Sequence, residues 1–155
     1  MTLVIVRISD LFFSFEISSI ERILEKKQEV IPVPLVPSFI QGIMNFQGRI
    51  ITVINLAELF KINVLNKNSL VLISRHAKNL GFLVEEIIGF KHVDDLWIQK
   101  VEPCEVFIND YQLKSYILHG IFDAPVSFFN LSEIEKFVLN PDYWRNLNES
   151  ESIDL

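Results

Sequence analysis

An all-β architecture, a sandwich or a pair of barrels with helices only as accessories, is the fold class this sequence predicts, on three observations. Short runs rich in Val, Ile, Phe and Thr recur along the chain, each bounded by Gly, Pro, Asn, Asp or Ser. Half of the 155 residues are hydrophobic and 13 are Phe, a composition that favours strands. With only 5 Gly and 6 Pro there is little room for flexible linkers, so one compact unit with two lobes is expected over residues 1–145. A chain of this length buries roughly 68–70% of the surface it exposes when unfolded, enough for a sizeable core.

Taken in order, Thr2 to Ile8 is apolar at nearly every position and predicts a strand covered on both faces. Ser9-Asp10 turns the chain into Leu11 to Ile17, whose aromatics fit a second strand and complete an opening hairpin. Ile17, Ile20, Ile23 and Leu24 recur at helical spacing, so Ser19 to Glu25 reads as a short helix or irregular turn with one apolar stripe. Three prolines follow. Each fixes φ and extends the residue before it, so no helix is expected before Pro37. Pro32 to Pro37 reads as a stiff crossing between lobes with buried flanks, in preference to a polyproline ligand for an SH3 or WW module. Ser38 to Ile43 is a short amphipathic turn, and Asn45-Phe46-Gln47-Gly48 suits a type I turn with Asn first and Gly fourth. Arg49 to Ile54 is a buried strand, after which Asn55-Leu56-Ala57-Glu58 forms a capping box for a helix reaching Ile62.

Beyond a polar loop at 63–68, Ser69 to Arg75 and Leu80 to Glu85 form a second hairpin around His76-Ala77-Lys78-Asn79. Glu85 to His92 continues as a strand bulged near Gly89, and Asp94-Asp95 turns into the short apolar segment Leu96-Trp97-Ile98. Val106-Phe107-Ile108 and Tyr111 to Leu118 are strands on either side of Asn109-Asp110. The end of the chain then repeats its middle. Gly120 through Asn130-Leu131-Ser132-Glu133 parallels Gly42 through Asn55-Leu56-Ala57-Glu58, each giving Gly, turn, strand, Asn-Leu-x-Glu and a helix, as a duplicated plan would. The last helix runs from Ser132 to Val138 and restarts at Pro141, with Tyr143 and Trp144 packing back, and residues 146–155 are an acidic, frayed tail.

Net charge −6, with Lys26-Lys27 as the only basic cluster, argues against nucleic acid or an anionic membrane as partner. Cys104 is the only cysteine, so no intrachain disulfide forms and a reducing compartment fits. Beside Glu105 and without a local base, it reads as a buried or inert thiol, not a nucleophile. The amino-terminal apolar run is too short for a signal peptide and no stretch approaches 18 apolar residues, so a cytoplasmic protein without direct membrane insertion is expected. His76, His92 and His119 lack ligand spacing, and no phosphate-binding loop or nucleophile elbow occurs. Glu85-Glu86 and Asp94-Asp95 read as solvated turn residues, because neighbours in a strand face opposite ways. Catalytic residues, metal ligands and cofactor sites are all expected to be absent.

One resemblance gives this a functional direction. Pro37, Gly42, Asn45, Gly48, the strand Arg49 to Ile54 and Asn55-Leu56 are similar, in order and spacing, to the signature of the CheW family of bacterial chemotaxis adaptors, and the likeness runs weakly from about Leu3 to Val138. It implies two SH3-like β-barrel subdomains side by side, with a C-terminal helix. It also implies a non-catalytic adaptor that couples the cytoplasmic tip of chemoreceptors to the regulatory domain of a CheA-type histidine kinase, at receptor arrays on the inner face of the membrane. The matching partner-binding positions are Ile20, Arg22, Ile23, Gly42, Asn45, Phe46, Gln47 and Gly48. Among them Phe46 would be an exposed anchor, Gly42 would let a partner's backbone approach, and Ile20, Ile23, Gly42 and Phe46 would line a groove for the receptor hairpin. Two positions depart from the family: Gln47 stands where Arg is usual and Arg22 where an acid is usual, so an ion pair between them would be lost. The alternatives are an adaptor of a pilus-motility or other kinase pathway without standard receptor binding, and a small ligand-binding or enzymatic β-barrel protein.

Overall fold

Residue by residue, apolar side chains sort the chain into two sheets. A computed structural model describes residues 1–25, 30–64, 69–108 and 110–144. In chain order its elements are β1 (Thr2–Ile8), β2 (Leu11–Glu16), β3 (Ile20–Glu25), β4 (Ile40–Phe46), β5 (Arg49–Asn55), α1 (Leu56–Leu59), β6 (Leu70–Ser74), β7 (Leu80–Val84), β8 (Glu86–His92), α2 (Asp95–Gln99), β9 (Cys104–Ile108), β10 (Tyr111–Leu118), β11 (Val126–Phe129) and α3 (Leu131–Leu139). One sheet has the order β8-β1-β2-β11-β10-β9 and the other β3-β6-β7-β5-β4. All neighbours are antiparallel except β2 with β11 and β5 with β7. The fold is therefore mostly β, with short helices, as the sequence predicts.

The repeat read from the two Asn-Leu-x-Glu segments has a topological counterpart. Each sheet holds a hairpin (β1-β2, β6-β7) and, parallel to its second strand, the strand that feeds a helix capped by Asn (β11 before Asn130, β5 before Asn55). The preceding strand pairs outside it (β10, β4), and one further strand lies beside the hairpin's first (β8, β3). The two halves differ by a circular permutation, because the first sheet takes its hairpin from the start of the chain. A single large cluster, including Val6, Phe15, Ile54, Phe82, Leu113 and Phe137, joins the sheets. Each sheet also covers a smaller cluster on its other face, around Met44, Phe46, Ile51 and Ile73 in one and Leu3, Ile98, Leu118 and Phe128 in the other. Among the described residues no strand pair joins the two edges of either sheet.

Several expectations are corrected. Residues 20–25 form a strand, not a helix, and a bulge explains why their apolar spacing looked helical. Ile20 pairs with Ser74 but Arg22 with Ile73, so Glu21 is the extra residue, and Ile20 and Ile23 fall on one face despite being three apart. The same happens in β4, where Ile40 pairs with Ile54 and Gly42 with Val53, so the predicted amphipathic turn is the start of a strand. The bulge expected in β8 is present: Ile5 faces Gly89 and Val6 faces Ile87. Leu96-Trp97-Ile98 lies in α2, with the Asp94 side chain accepting from Leu96 N–H at 2.9 Å as its cap. At 45–48 the loop is a two-residue hairpin turn in which Gln47 (φ 50°) and Gly48 (φ 80°) both have positive φ, as type I′ demands and type I does not. The proline segment is largely exposed, with Pro32, Pro34 and Leu35 in solvent; of its expected buried flanks, the one at Pro37 and Phe39 is buried and the one at Ile31 is exposed.

Glu85 is buried instead of solvated. Arg7 donates to it at 2.9 Å and to Glu86 at 2.9 Å, while Ser9 N–H donates to the second Glu85 oxygen at 2.7 Å. Cys104 is exposed on β9. At the carboxy-terminal side the chain is helical again over 141–144. Tyr143 lies 4.6 Å from Tyr111 between ring centres, and Trp144 Nε1–H donates to the Val138 carbonyl at 2.9 Å, so both pack back. The expected tail at 146–155 lies outside the described residues.

Candidate functional site

The predicted binding residues separate into three settings. Arg22, Asn45, Gln47 and Gly48 are exposed and gather at the β4-β5 turn and the facing edge of β3. Ile20 is buried and Ile23 half-buried, both in the core the two sheets share. Gly42 is buried, and a Cβ there would lie 2.2 Å from the Ile31 carbonyl oxygen, so the close backbone approach this glycine permits is made by its own chain. Phe46 is 5% exposed and packs with Met44, Ile51 and Ile73, so it supports the turn from beneath and is not the exposed anchor that was expected. Ile20, Ile23, Gly42 and Phe46 thus do not line one open groove.

What covers Phe46 is charge. The guanidinium carbons of Arg22 and Arg49 stand 5.8 and 5.5 Å from its ring centre, where the negative face of the π system attracts a cation. Arg49 also forms an ion pair with Glu21. The pair read as lost between positions 22 and 47 thus has a counterpart between neighbouring positions, 21 and 49. Neither Glu21 nor Arg49 was singled out from the sequence. Finding them required knowing that β3, at one edge of the sheet, comes within side-chain reach of the β4-β5 hairpin at the other. The patch is rigid by construction, since Asn45 Oδ1 accepts from Gly48 N–H at 3.0 Å and fixes the turn that carries Gln47.

A second feature was not anticipated. Between the first sheet and the segments 37–39 and 58–62 lies a groove of about 500 Å³ whose walls include Leu11, Phe13, Phe39, Phe60, Phe107 and Phe129, together with Glu58 and Lys61. Phe60 sits 5.8 Å from Phe13 and 5.2 Å from Phe129, ring centre to ring centre, so the floor is a continuous aromatic cluster.

Among the described residues, His, Cys, Asp and Glu side chains do not gather into a metal-binding cluster. His76, His92 and His119 are all exposed. The buried Glu135 carboxyl accepts from Ser74 Oγ, which itself accepts from Ala77 N–H at 3.0 Å. Burial pushes its pKa above the usual carboxylate value, partly offset by the Ser74 hydrogen bond and by His76. Its partners tie α3 to the β6-β7 turn, a structural role. No helix of the described residues is long and apolar enough to cross a membrane.

Two sheets of matching topology about a common core thus present a fixed charged turn and an apolar groove. The chain belongs to the CheW-like domain family, whose model matches residues 2–111. A chemotaxis protein CheW of Thermotoga maritima is 32% identical over 84 residues, 53% of this chain and 55% of that protein, so the match spans about half the length of the relative. The crystal structure of the scaffolding protein TtCheW from Thermoanaerobacter tengcongensis superposes with a TM-score of 0.68 at 21% identity, over 83% of this chain and 88% of that one, and shares its fold.

Proposed function

We propose that this chain couples chemoreceptors to the regulatory domain of a CheA-type histidine kinase through protein contacts alone, in arrays on the inner face of the membrane. The observation that carries the receptor half is the turn Asn45–Gly48, a rigid polar knuckle seated on Phe46 and flanked by Arg22 and the Glu21–Arg49 pair. A helix hairpin meeting this knuckle would find donors and acceptors already in place, with little side-chain ordering left to oppose association. In the same reading each sheet curls towards an SH3-like barrel. The approach of β3 to β4 through Arg22 and Phe46, and the buried cluster around Phe46, favour it for the second sheet.

The test is binding of the purified chain to two separate fragments, a receptor tip and a kinase regulatory domain. Gln47→Glu sits on the exposed turn and leaves the core untouched, so its melting temperature should match that of the native chain. Receptor-fragment affinity should fall at least tenfold, the scale of one lost charge-compatible contact of about 1.4 kcal/mol, with kinase binding unchanged. Native-like receptor affinity in the folded variant refutes the site. A native chain that binds the kinase fragment and not the receptor fragment supports the second reading, an adaptor wired to another kinase pathway, which the departures at Arg22 and Gln47 favour.

A further inference from the structure

We infer that Glu135 is a proton-operated latch: as a neutral acid it seats on Ser74 and holds the β6-β7 turn against α3, and on ionising it frees that turn and, through Arg75, the crossing between the sheets. A contrast between two buried carboxyls carries the inference. Glu85, 8% exposed, sits in a site built for charge, with Arg7 donating to one oxygen and Ser9 N–H to the other. Glu135, 6% exposed, has a single neutral donor, the Ser74 hydroxyl at Oε1; among the described residues no donor reaches Oε2 and no cation pairs with the carboxyl. Such a site holds a proton. A buried carboxylate needs a cation or several donors in place of its hydration, whereas the neutral acid does not. Burial accordingly raises the Glu135 pKa, and the other titratable side chain whose charge acts on it is His76, whose protonated form favours the carboxylate. Arg75, beside His76, turns its guanidinium instead to the carbonyls of Ser18 and Ile20, and Lys136, next along α3, is exposed.

Packing decides what yields on ionisation. α3 is anchored in the core by Ile134, Phe137 and Val138, whereas Arg75, His76, Lys78 and Asn79 of the turn are exposed, so water reaches the carboxylate by displacing the turn. The turn moves as one hydrogen-bonded unit. Ser74 Oγ donates to Glu135 and accepts from Ala77 N–H at 3.0 Å, while Arg75 N–H donates to the Ser19 carbonyl at 2.9 Å and its side chain to Ser18 and Ile20 at 3.0 and 3.1 Å. Ile20, the first residue of β3, also pairs with Ser74. Movement at Ser74 therefore reaches residues 17–20 and the start of β3, the strand that carries Glu21 and Arg22. An effect on receptor binding at Asn45–Gly48 rests on the adaptor reading, and the latch itself does not. The sign is fixed by linkage: the folded state holds the proton more tightly than the unfolded one, so the latch is closed below the folded pKa and opens as pH rises through it.

Amide hydrogen exchange followed by NMR on the full chain, from about pH 5 to 8 and corrected for the intrinsic pH dependence of each amide, tests the latch. The reporters are Ala77 N–H, bonded to Ser74 Oγ, Arg75 N–H, bonded to the Ser19 carbonyl, and Ile20 N–H, bonded to the Ile17 carbonyl. Their protection should fall at least tenfold as pH rises through one common midpoint, with the amides of β10 unchanged as the control. Glu135→Gln keeps an acceptor for Ser74 and cannot ionise, so its protection should hold across the range. In the native chain the carbon shift of the Glu135 carboxyl should titrate at that same midpoint, which keeps the test decisive if the variant misfolds. Protection independent of pH, an equal loss in folded Glu135→Gln, or a midpoint that differs from the carboxyl's overturns the proposal. So does a loss at Ala77 that leaves Ile20 protected, because the relay through Arg75 would then be absent.

Discussion

Gly42→Ala is the substitution whose cost can be worked most directly from the structure. An added Cβ would stand 2.2 Å from the Ile31 oxygen, 2.7 Å from the Ile31 carbonyl carbon and 3.0 Å from Val30 Cγ1, and two of these three atoms are backbone. Relief requires Ile31 to retreat, which breaks its two hydrogen bonds with Ile43, each worth about 1 kcal/mol. The residue itself has φ +152°, outside the range L side chains favour, and such strain costs of order 1–3 kcal/mol. A destabilisation of about 3–5 kcal/mol follows, and at about 2–4 °C per kcal/mol the melting temperature should drop by ~6–20 °C. Gly48→Ala is the internal control, because its φ of +80° is also left-handed but its added Cβ meets nothing within 4 Å. It should lose only about 1–2 kcal/mol. Differential scanning calorimetry, checked by urea unfolding, separates the two. If Gly42→Ala melts no lower than Gly48→Ala, the close approach of Ile31 does not explain this glycine and the assignment of a structural role fails.

Other perturbations follow from the buried charges. Arg7→Met leaves Glu85, with a side chain 6% exposed, without its cation and should cost about 3 kcal/mol in urea unfolding, whereas adding Glu85→Gln should restore part of that stability; no recovery in the double variant would mean that Arg7 acts through packing. Glu135 has a folded pKa above its unfolded one, so the fold favours its neutral form: stability is highest below the unfolded pKa and falls as pH rises through the folded value. Glu135→Gln should therefore stabilise the chain at neutral pH and lose that advantage in acid, and a gain independent of pH would refute the cause assigned. Phe46→Ala should cost about 3–5 kcal/mol as a core truncation and also release Arg22 and Arg49 from their ring, which would appear as faster amide exchange across Asn45–Gly48; an unchanged exchange rate there would show that the turn does not depend on the ring.

Most strands were legible because their apolar residues follow the period of the element they form. β1 is apolar at every position but Thr2 and Arg7 and lies between two strands with both faces covered over Leu3–Val6, and the β6-β7 hairpin is framed by a polar turn. β3 and the start of β4 were illegible because a bulge moves every later side chain to the other face, turning a strand's spacing of two into a spacing of three that imitates a helix. The burial of Phe46 was hidden for a related reason: Gln47 gives no sequence signal for positive φ, and only the two-residue turn that it permits sends the neighbouring ring inward. The Glu21–Arg49 pair joins strands that are not neighbours in the hydrogen-bonded order, which no local pattern encodes. In contrast, the Asn-Leu-x-Glu repeat marked both Asn-capped helices because capping is a local interaction.

The duplicated topology also explains where polar groups are placed in the interior. Because the halves are circularly permuted, the chain crosses between sheets twice, after β2 and after β7, and a crossover must satisfy its backbone groups outside either ladder. At the first, Arg75 donates to the carbonyls of Ser18 and Ile20 at 3.0 and 3.1 Å, and its N–H to that of Ser19 at 2.9 Å. At the second, the Arg7 side chain and Ser9 N–H hold the Glu85 carboxylate, and Glu85 N–H donates to the Arg7 carbonyl at 3.2 Å. Glu135 with Ser74 adds a third tie, from α3 to the other sheet. A shared apolar core would let two sheets slide, since hydrophobic burial is non-directional, whereas hydrogen bonds at both crossings and across the helix specify one arrangement. If the chain holds partners at a set spacing, as proposed, that fixed arrangement of the two sheets is the property on which the function would depend.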